Sequence, residues 1–314
     1  MPLDPQARVY LDKMNALQIP GFHTMAPPDA RRLFKAMRGL AARPDPVAST
    51  SDHQTASGIA LRVYRPLGSG PEPLPALVFF HGGGWVLGDI ETVENLCRRL
   101  ANASGGVVVS VDYRLAPETK FPGPLNDCFE ATRHVIDQAE LLAIDRRRIA
   151  VGGDSAGGNL ATAVAMMARE STAISLLFQL LIYPITDFSF DRASYSENSE
   201  GYGLSRDMMI WYWDQYLENH EDGRSPLASP LRSNNLSGLP PALVITAGYD
   251  VLRDEGLAYA ERLGQDGIIV QAEHYPGMIH GFLQMADSFD EGKRAIADAG
   301  VALRRAYTST TLSV

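Results

Sequence analysis

Gly153-Asp-Ser-Ala-Gly157 sets a serine among small residues. The apolar run Ile149 to Val151 precedes it, and Leu160, Val164 and Met167 follow at helical spacing. Strand, sharp turn and helix is the setting in which G-x-S-x-G forms a nucleophile elbow. So tight a turn predicts a strained serine backbone that only small neighbours can flank without clashing. It would lift the Ser155 hydroxyl clear and aim the first amides of the helix at whatever the serine attacks. The pentapeptide alone is a weak signal, because a glycine- and serine-rich turn uses the same letters. A nucleophilic serine also needs a base, a carboxylate to orient that base, and donors for a developing oxyanion.

The run Ala76 to Phe80 ends in His81-Gly-Gly-Gly-Trp85. Three glycines carry no side chains to block a ligand and leave N–H groups free, which suits an oxyanion hole. A plain glycine turn is the alternative, and it explains less once the elbow is counted. His81 precedes the glycines and is expected to brace the loop. Trp85 follows them directly, so its ring is expected to wall the pocket near the reacting carbonyl.

There are seven histidines, at 23, 53, 81, 134, 220, 274 and 280. His280 alone combines a place after the last predicted strand, a turn at Pro276-Gly277 before it and a glycine after it. It is the expected base. Ala242-Leu-Val-Ile-Thr-Ala-Gly-Tyr-Asp250 offers a carboxylate at the end of the preceding strand. Asp250 would hold the imidazole tautomer and stabilise imidazolium. Asp254 and Glu255 are rivals, but they fall in the first turn of the next helix, where acidic residues are common for dipole reasons alone.

These residues must be carried by a sheet. Apolar runs at 76–80, 107–111, 149–151, 178–183, 242–246 and 268–275 alternate with helical patterns near 91–104, 124–138, 156–169, 254–265 and 289–306. That rhythm predicts an α/β fold with a parallel sheet buried on both faces. Residues 59–64 alternate and predict a leading antiparallel pair with 47–54. Two N-terminal helices are expected, the second carrying Leu33, Met37 and Leu40. They bury too little apolar surface to fold alone and are expected to lie over something else. The gap from Ile185 to Leu239 breaks the rhythm and holds an aromatic-rich helix over 204–217. The expected division is 1–45 as the N-terminal part of a cap, 46–185 and 221–314 as core, and 186–220 as a cap insertion.

A chain of 314 residues with 45% hydrophobic content can bury one large core. A formal net charge of −9 with no basic block argues against nucleic acid as a partner. Two cysteines, Cys97 and Cys128, each inside a predicted helix, point to reduced thiols and a cytoplasmic setting. No signal-peptide pattern, no membrane-spanning apolar run and no zinc-type Cys/His spacing is evident. No metal or organic cofactor is expected. The Ser/Thr-rich stretch Thr308 to Ser313 reads as a frayed tail.

The chain resembles bacterial esterases of the hormone-sensitive-lipase-like family of α/β-hydrolases, over nearly its whole length. The resemblance is carried by His81-Gly-Gly-Gly-Trp85, Asp112-Tyr-Arg-Leu-Ala-Pro-Glu118, Phe121-Pro122, Gly152 to Leu160, Tyr183-Pro184, Asp250 with Arg253-Asp-Glu-Gly256, and His280-Gly-Phe282. It implies a mostly parallel eight-stranded sheet with a helical cap, and a carboxylesterase with Ser155, Asp250 and His280 as triad. It also implies Gly83, Gly84 and Ala156 as oxyanion donors, with Met209 and Trp213 facing the site from the cap helix. Small esters of about four to eight acyl carbons are the implied substrates. Family members are often dimers, sometimes through the last strand at the sheet edge, so a homodimer is an expectation. Asp250-Val-Leu departs from the family's Asp-Pro-Leu and would loosen that loop. Amide, lactone or carbamate hydrolysis on the same site stays open. So does a ligand-binding protein on this fold, although the receptors of that kind lack the histidine.

Overall fold

The computed structural model describes residues 1–39, 44–171 and 173–309. Its elements run α1 (Pro5–Ala16), α2 (Pro27–Gly39), β1 (Ser49–Gln54), β2 (Ala60–Arg65), β3 (Leu74–Phe80), α3 (Glu94–Ser104), β4 (Val107–Asp112), α4 (Gly123–Asp137) and β5 (Ile144–Asp154). They continue with α5 (Ala156–Arg169), β6 (Phe178–Ile182), the short α6 (Ala193–Glu197), α7 (Arg206–Tyr216), β7 (Ala242–Tyr249), α8 (Arg253–Gln265), β8 (Val270–Ile279) and α9 (Asp290–Thr308). Leu40 and residues 310–313 of the expected tail lie outside the described residues.

The strands form one sheet of eight in the order β1-β2-β4-β3-β5-β6-β7-β8. β1 and β2 are antiparallel to each other, β2 is antiparallel to β4, and every later pairing is parallel. The central strands are apolar throughout because both faces are covered. In β3, Ala76, Val78 and Phe80 join the core beneath α4, α5 and α8, while Leu77 and Phe79 join the core beneath α3 and α9. Alternate residues thus serve opposite layers. Each of the larger of these side chains, Leu77, Val78, Phe79 and Phe80, contributes about 1.5–3 kcal/mol by its burial.

The last strand departs from the expected turn. β8 runs through Pro276 and Gly277 to Ile279. Pro276 has no N–H to donate, but β8 is an edge strand and one of its sides needs no ladder bond. The opposite edge of that stretch is occupied by the chain start: Asp4 N–H donates to Gly277 O at 3.0 Å. Asp4 also caps α1, its side chain accepting from Gln6 N–H at 2.7 Å, with Pro5 in the first helical turn. Among the described residues no helix is long and apolar enough to cross a membrane.

α5 crosses the sheet at the end of β5, packed so closely that its first residues must be small. A Cβ on Gly157 would lie 1.9 Å from Phe80 O and 2.6 Å from Phe80 C, both backbone atoms that cannot yield cheaply. Gly157→Ala should therefore lower stability by about 3 kcal/mol or more, through displacement of β3 from α5. Urea unfolding followed by circular dichroism measures this. A change below about 0.5 kcal/mol would mean that the contact is softer than the packing indicates.

Candidate active site

Ser155 stands between the last residue of β5 and the first of α5. Its backbone takes φ 57° and ψ −118°, the strained turn expected from its neighbours. Ser155 N–H donates to Ile182 O at 2.8 Å, which fastens the turn to β6. The side chain reaches a cavity while the residue is only 6% exposed.

His280 follows β8 and faces the serine. Ser155 Oγ lies 3.0 Å from His280 Nε2, and His280 Nδ1 lies 2.7 Å from Asp250 Oδ2. With Nδ1–H donating to the carboxylate, Nε2 is left to accept the serine proton. Asp250 is buried, and its other oxygen accepts from Leu252 N–H at 2.9 Å. Val251, which stands where the family has proline and was expected to leave the loop looser, is fully buried, and Ser194 Oγ donates to its carbonyl at 2.6 Å. The loop is thus held by hydrogen bonds rather than by a ring.

The two rival carboxylates do other work. Asp254 accepts from Ser194 N–H at 2.8 Å and from Arg253 Nε at 2.7 Å. Glu255 is fully buried and accepts from Thr186 N–H at 2.7 Å and from Tyr195 OH at 3.1 Å. Burial pushes its carboxyl up to about 8. Both anchor the segment that leaves β6 and neither bonds to His280. Of the remaining histidines, His274 meets Thr246, His220 meets Asp214 and His53 meets Ser51.

The glycine loop after β3 lies against the serine turn. Gly82 N–H is committed to Asp154 Oδ1 at 2.9 Å. Among the described residues the N–H groups of Gly83, Gly84 and Ala156 donate to no acceptor. Gly84 has φ 60°, and a Cβ there would fall 2.2 Å from the Tyr212 ring of α7. The loop therefore slides flat beneath α7 only because that carbon is missing. His81 braces the loop as expected. Its ring stacks on Tyr113 at 4.2 Å, its Nδ1 lies 2.8 Å from Gly82 O, and Tyr113 OH donates to its carbonyl at 2.7 Å.

Asp154 and Gln284 went unmarked in the sequence reading. Asp154 is buried, and its second oxygen accepts from Gln284 Nε2 at 2.6 Å. Burial raises its pKa, partly opposed by the Gly82 hydrogen bond. One carboxyl group thereby ties the serine turn, the glycine loop and the segment after His280 together. The signal was present: an acidic residue closing an otherwise apolar strand, and an amide four positions after His280.

The cavity over Ser155 has a volume of about 320 Å³. Tyr10 and Met14 of α1, Phe34, Met37 and Arg38 of α2, and Leu204, Met208 and Tyr212 of the 186–220 segment enclose it, with Ser155, His280, Gly83 and Gly84 at its floor. Trp85, Met209 and Trp213 are not among its lining residues, which corrects three expectations. Trp85 has φ 60° and is fully buried, stacked on Tyr216 at 4.0 Å and close to Trp213 at 4.6 Å. Trp213 also meets Phe188, and Met209 is 1% exposed. On α7 the pair one residue earlier, Met208 and Tyr212, takes the cavity side. Both pairs share the i, i+4 spacing, so spacing cannot choose between them. The choice falls to packing, because the large ring of Trp213 buries best against Trp85.

Comparison with known proteins places the fold. A family model described as the alpha/beta hydrolase fold matches residues 77–284. An ethyl acetate hydrolase of Pseudomonas putida is 35% identical over 97% of this chain and 99% of its own. The solved structure of an ester hydrolase from the metagenome of Lake Arreo, complexed with a bipyridine phosphonate derivative, superposes with TM-score 0.93. It shares 43% identity, covering 98% of this chain and 100% of that one. A thermostable esterase from Pseudomonas putida gives TM-score 0.94 at 37% identity, covering 98% of each chain.

Glu255 makes a pH-dependent contribution. Its carboxyl sits at about 8 in the fold against an ordinary value near 4.5. The folded state holds the proton more tightly, so the stabilisation is complete below about pH 4.5 and is lost as pH rises to about 8. Glu255→Gln, which cannot ionise, should gain on the wild type across that window and be relatively most stable at pH 8–9. Urea unfolding from pH 5 to 9 measures this; parallel stability curves for the two proteins would refute it.

Proposed function

The chain belongs to the α/β-hydrolase-fold family, in its bacterial hormone-sensitive-lipase-like branch, and is a serine carboxylesterase; from that premise we propose that Ser155 is its nucleophile, His280 its base and Asp250 the carboxylate that orients the base. Gly83, Gly84 and Ala156 are the oxyanion donors in this reading. The observation that carries it is the unbroken path from Ser155 Oγ through His280 to Asp250, at 3.0 and 2.7 Å.

His280 Nε2 takes the Ser155 proton as Oγ attacks the ester carbonyl. The new oxyanion meets N–H groups that have no other acceptor among the described residues. Asp250 stabilises the imidazolium without taking its proton. His280 then protonates the leaving alkoxide, and an alcohol departs. Water, deprotonated by His280, attacks the acyl-serine and releases the acid. Every step draws on protein groups and water.

Residues 1–45 and 186–220 act as the two parts of a cap over a core of 46–185 and 221–314; residues 40–43, 172 and 310–314 within those ranges lie outside the described residues. Support comes from the cavity lining, which draws on α1, α2 and α7 together. A cavity of about 320 Å³ is at the small end of ligand sites and suits acyl chains of about four to eight carbons. A homodimer through β8, the edge strand, is the proposed assembly. A reducing, cytoplasmic setting is proposed from the two buried free thiols, Cys97 and Cys128.

Ser155→Ala and His280→Ala should each lower kcat by about 10⁴ or more, with the double variant little worse. Asp250→Asn should cost about 10³–10⁴ by favouring the wrong tautomer. Steady-state hydrolysis of p-nitrophenyl butyrate measures all four. Near-normal turnover by Ser155→Ala would sink the assignment. Chain length tests the cap. Met208→Ala and Tyr212→Ala should move the kcat/KM optimum across a p-nitrophenyl ester series toward longer acyl chains, each added methylene gaining about 0.8 kcal/mol until it meets a wall. An unchanged optimum in both would show that α7 does not set the length.

A further inference from the structure

Helix α2 carries four cations, and three of them have carboxylate partners. Arg31 pairs with Glu118 at 2.6 Å, Arg32 pairs with Asp29, and Lys35 pairs with Asp89 at 2.6 Å and Glu91 at 3.1 Å. The fourth, Arg38, makes no ion pair and no hydrogen bond among the described residues. It is half-buried, with its guanidinium carbon 5.2 Å from the centre of the Phe34 ring. A cation in the last turn of a helix is ordinarily explained by the helix dipole. Arg38 instead turns into the cavity over Ser155. Its Nη2 lies 3.6 Å from the point a Cβ on Gly281 would occupy, beside the base His280.

The surroundings sharpen the question of what this cation is for. Phe34 lies under the guanidinium, and the cavity it faces is lined by apolar Met37, Leu204 and Met208 together with the phenols Tyr10 and Tyr212. Among the described residues the one carboxylate that lines the cavity, Asp154, already accepts from Gly82 and Gln284. A half-buried guanidinium whose donors have no protein acceptor is free to bind a ligand that enters the cavity. Its planar fork of N–H donors matches a carboxylate bidentately. The chain's net charge of −9 would otherwise repel an anionic substrate.

We propose that Arg38 is a specificity-determining residue that admits esters bearing a carboxylate, gripping that carboxylate while the ester carbonyl lies at Ser155. The inference rests on the ester-hydrolase reading of the site. The substrate class is an ester with a free carboxylate on either its acyl or its alcohol part. Hydrolysis proceeds as for a neutral ester; Arg38 binds and takes no proton.

Two substrate series test this on the full chain. Monomethyl succinate, glutarate and adipate carry the charge on the acyl side. The acetate esters of 3-hydroxypropanoate and 4-hydroxybutanoate carry it on the alcohol side. Each is compared with a neutral ester of matched length, in wild type and Arg38→Gln. The ratio of kcat/KM for the anionic ester over the neutral one should fall at least about tenfold in Arg38→Gln in one series, with the loss in KM. A ratio unchanged in both series would overturn the proposal. Should the variant fail to fold, the wild type decides: at about 0.05 M salt its kcat/KM for the anionic ester should match or exceed that for the neutral ester in at least one series, and a ratio below about 0.1 in both series would overturn the proposal. Failure of the wild type on every ester of both kinds, neutral and anionic, would instead overturn the ester-hydrolase reading.

Discussion

Ser155 holds φ 57° and ψ −118°, a conformation that an L-residue abandons unless its surroundings over-determine it. Here they do. β5 is hydrogen-bonded on one side to β3 and on the other to β6, so the strand entering the turn cannot shift. Ser155 N–H is spent on Ile182 O, and Asn159, one turn into α5, sends its side-chain amide to Ile185 O at 3.0 Å and Ala228 O at 2.8 Å. The helix is then pressed onto the end of β3 through Gly157. Every part of the site inherits its position from this crossing. The glycine loop is the continuation of β3, and the turn that carries Ser155 is the continuation of β5.

Buried acids knit the outer pieces to that centre. Asp154 reaches Gly82 on one side and Gln284 on the other, so the loop with free amides and the segment after His280 share one anchor. Glu255 does the same for the chain leaving β6, through Thr186 N–H and Tyr195 OH. A buried carboxyl is unfavourable unless its lone pairs or its proton are used, and these are used. The outcome is a rigid floor of donors and a serine, roofed by helices from two distant parts of the chain. Rigidity of this kind is what electrostatic stabilisation of an oxyanion requires, since the dipoles need not reorganise when charge develops.

The sequence made the sheet and the proposed catalytic residues readable because each lies on a local pattern. Continuous apolar runs located six of the eight strands, and Ile59 to Tyr64 with its partner supplied the antiparallel pair. Ser155, Asp250 and His280 each follow a strand end, so their order along the chain was enough to group them. His81 was readable as a brace for the same reason: it precedes the glycines. The end of β8 was misjudged because Pro276-Gly277 reads as a turn, whereas an edge strand tolerates a residue that cannot donate.

What only the tertiary structure decided was which side chains of the covering helices meet the cavity. Met208 and Tyr212, and Met209 and Trp213, are equivalent one-turn pairs on α7, and a rotation of one residue separates them. That rotation is set by Trp85 and Phe188, which come from two separate segments outside α7 and pack against the Trp213 ring. Nothing local to α7 encodes it. Arg38 shows the same limit, since α2 carries four cations of similar character and only the fold turns one of them toward Ser155. Sequence alone determined the chemistry available, because backbone turns and strand ends are local. The shape of the space above it came from long-range packing, where the bulk of a ring in one segment chooses the face shown by another.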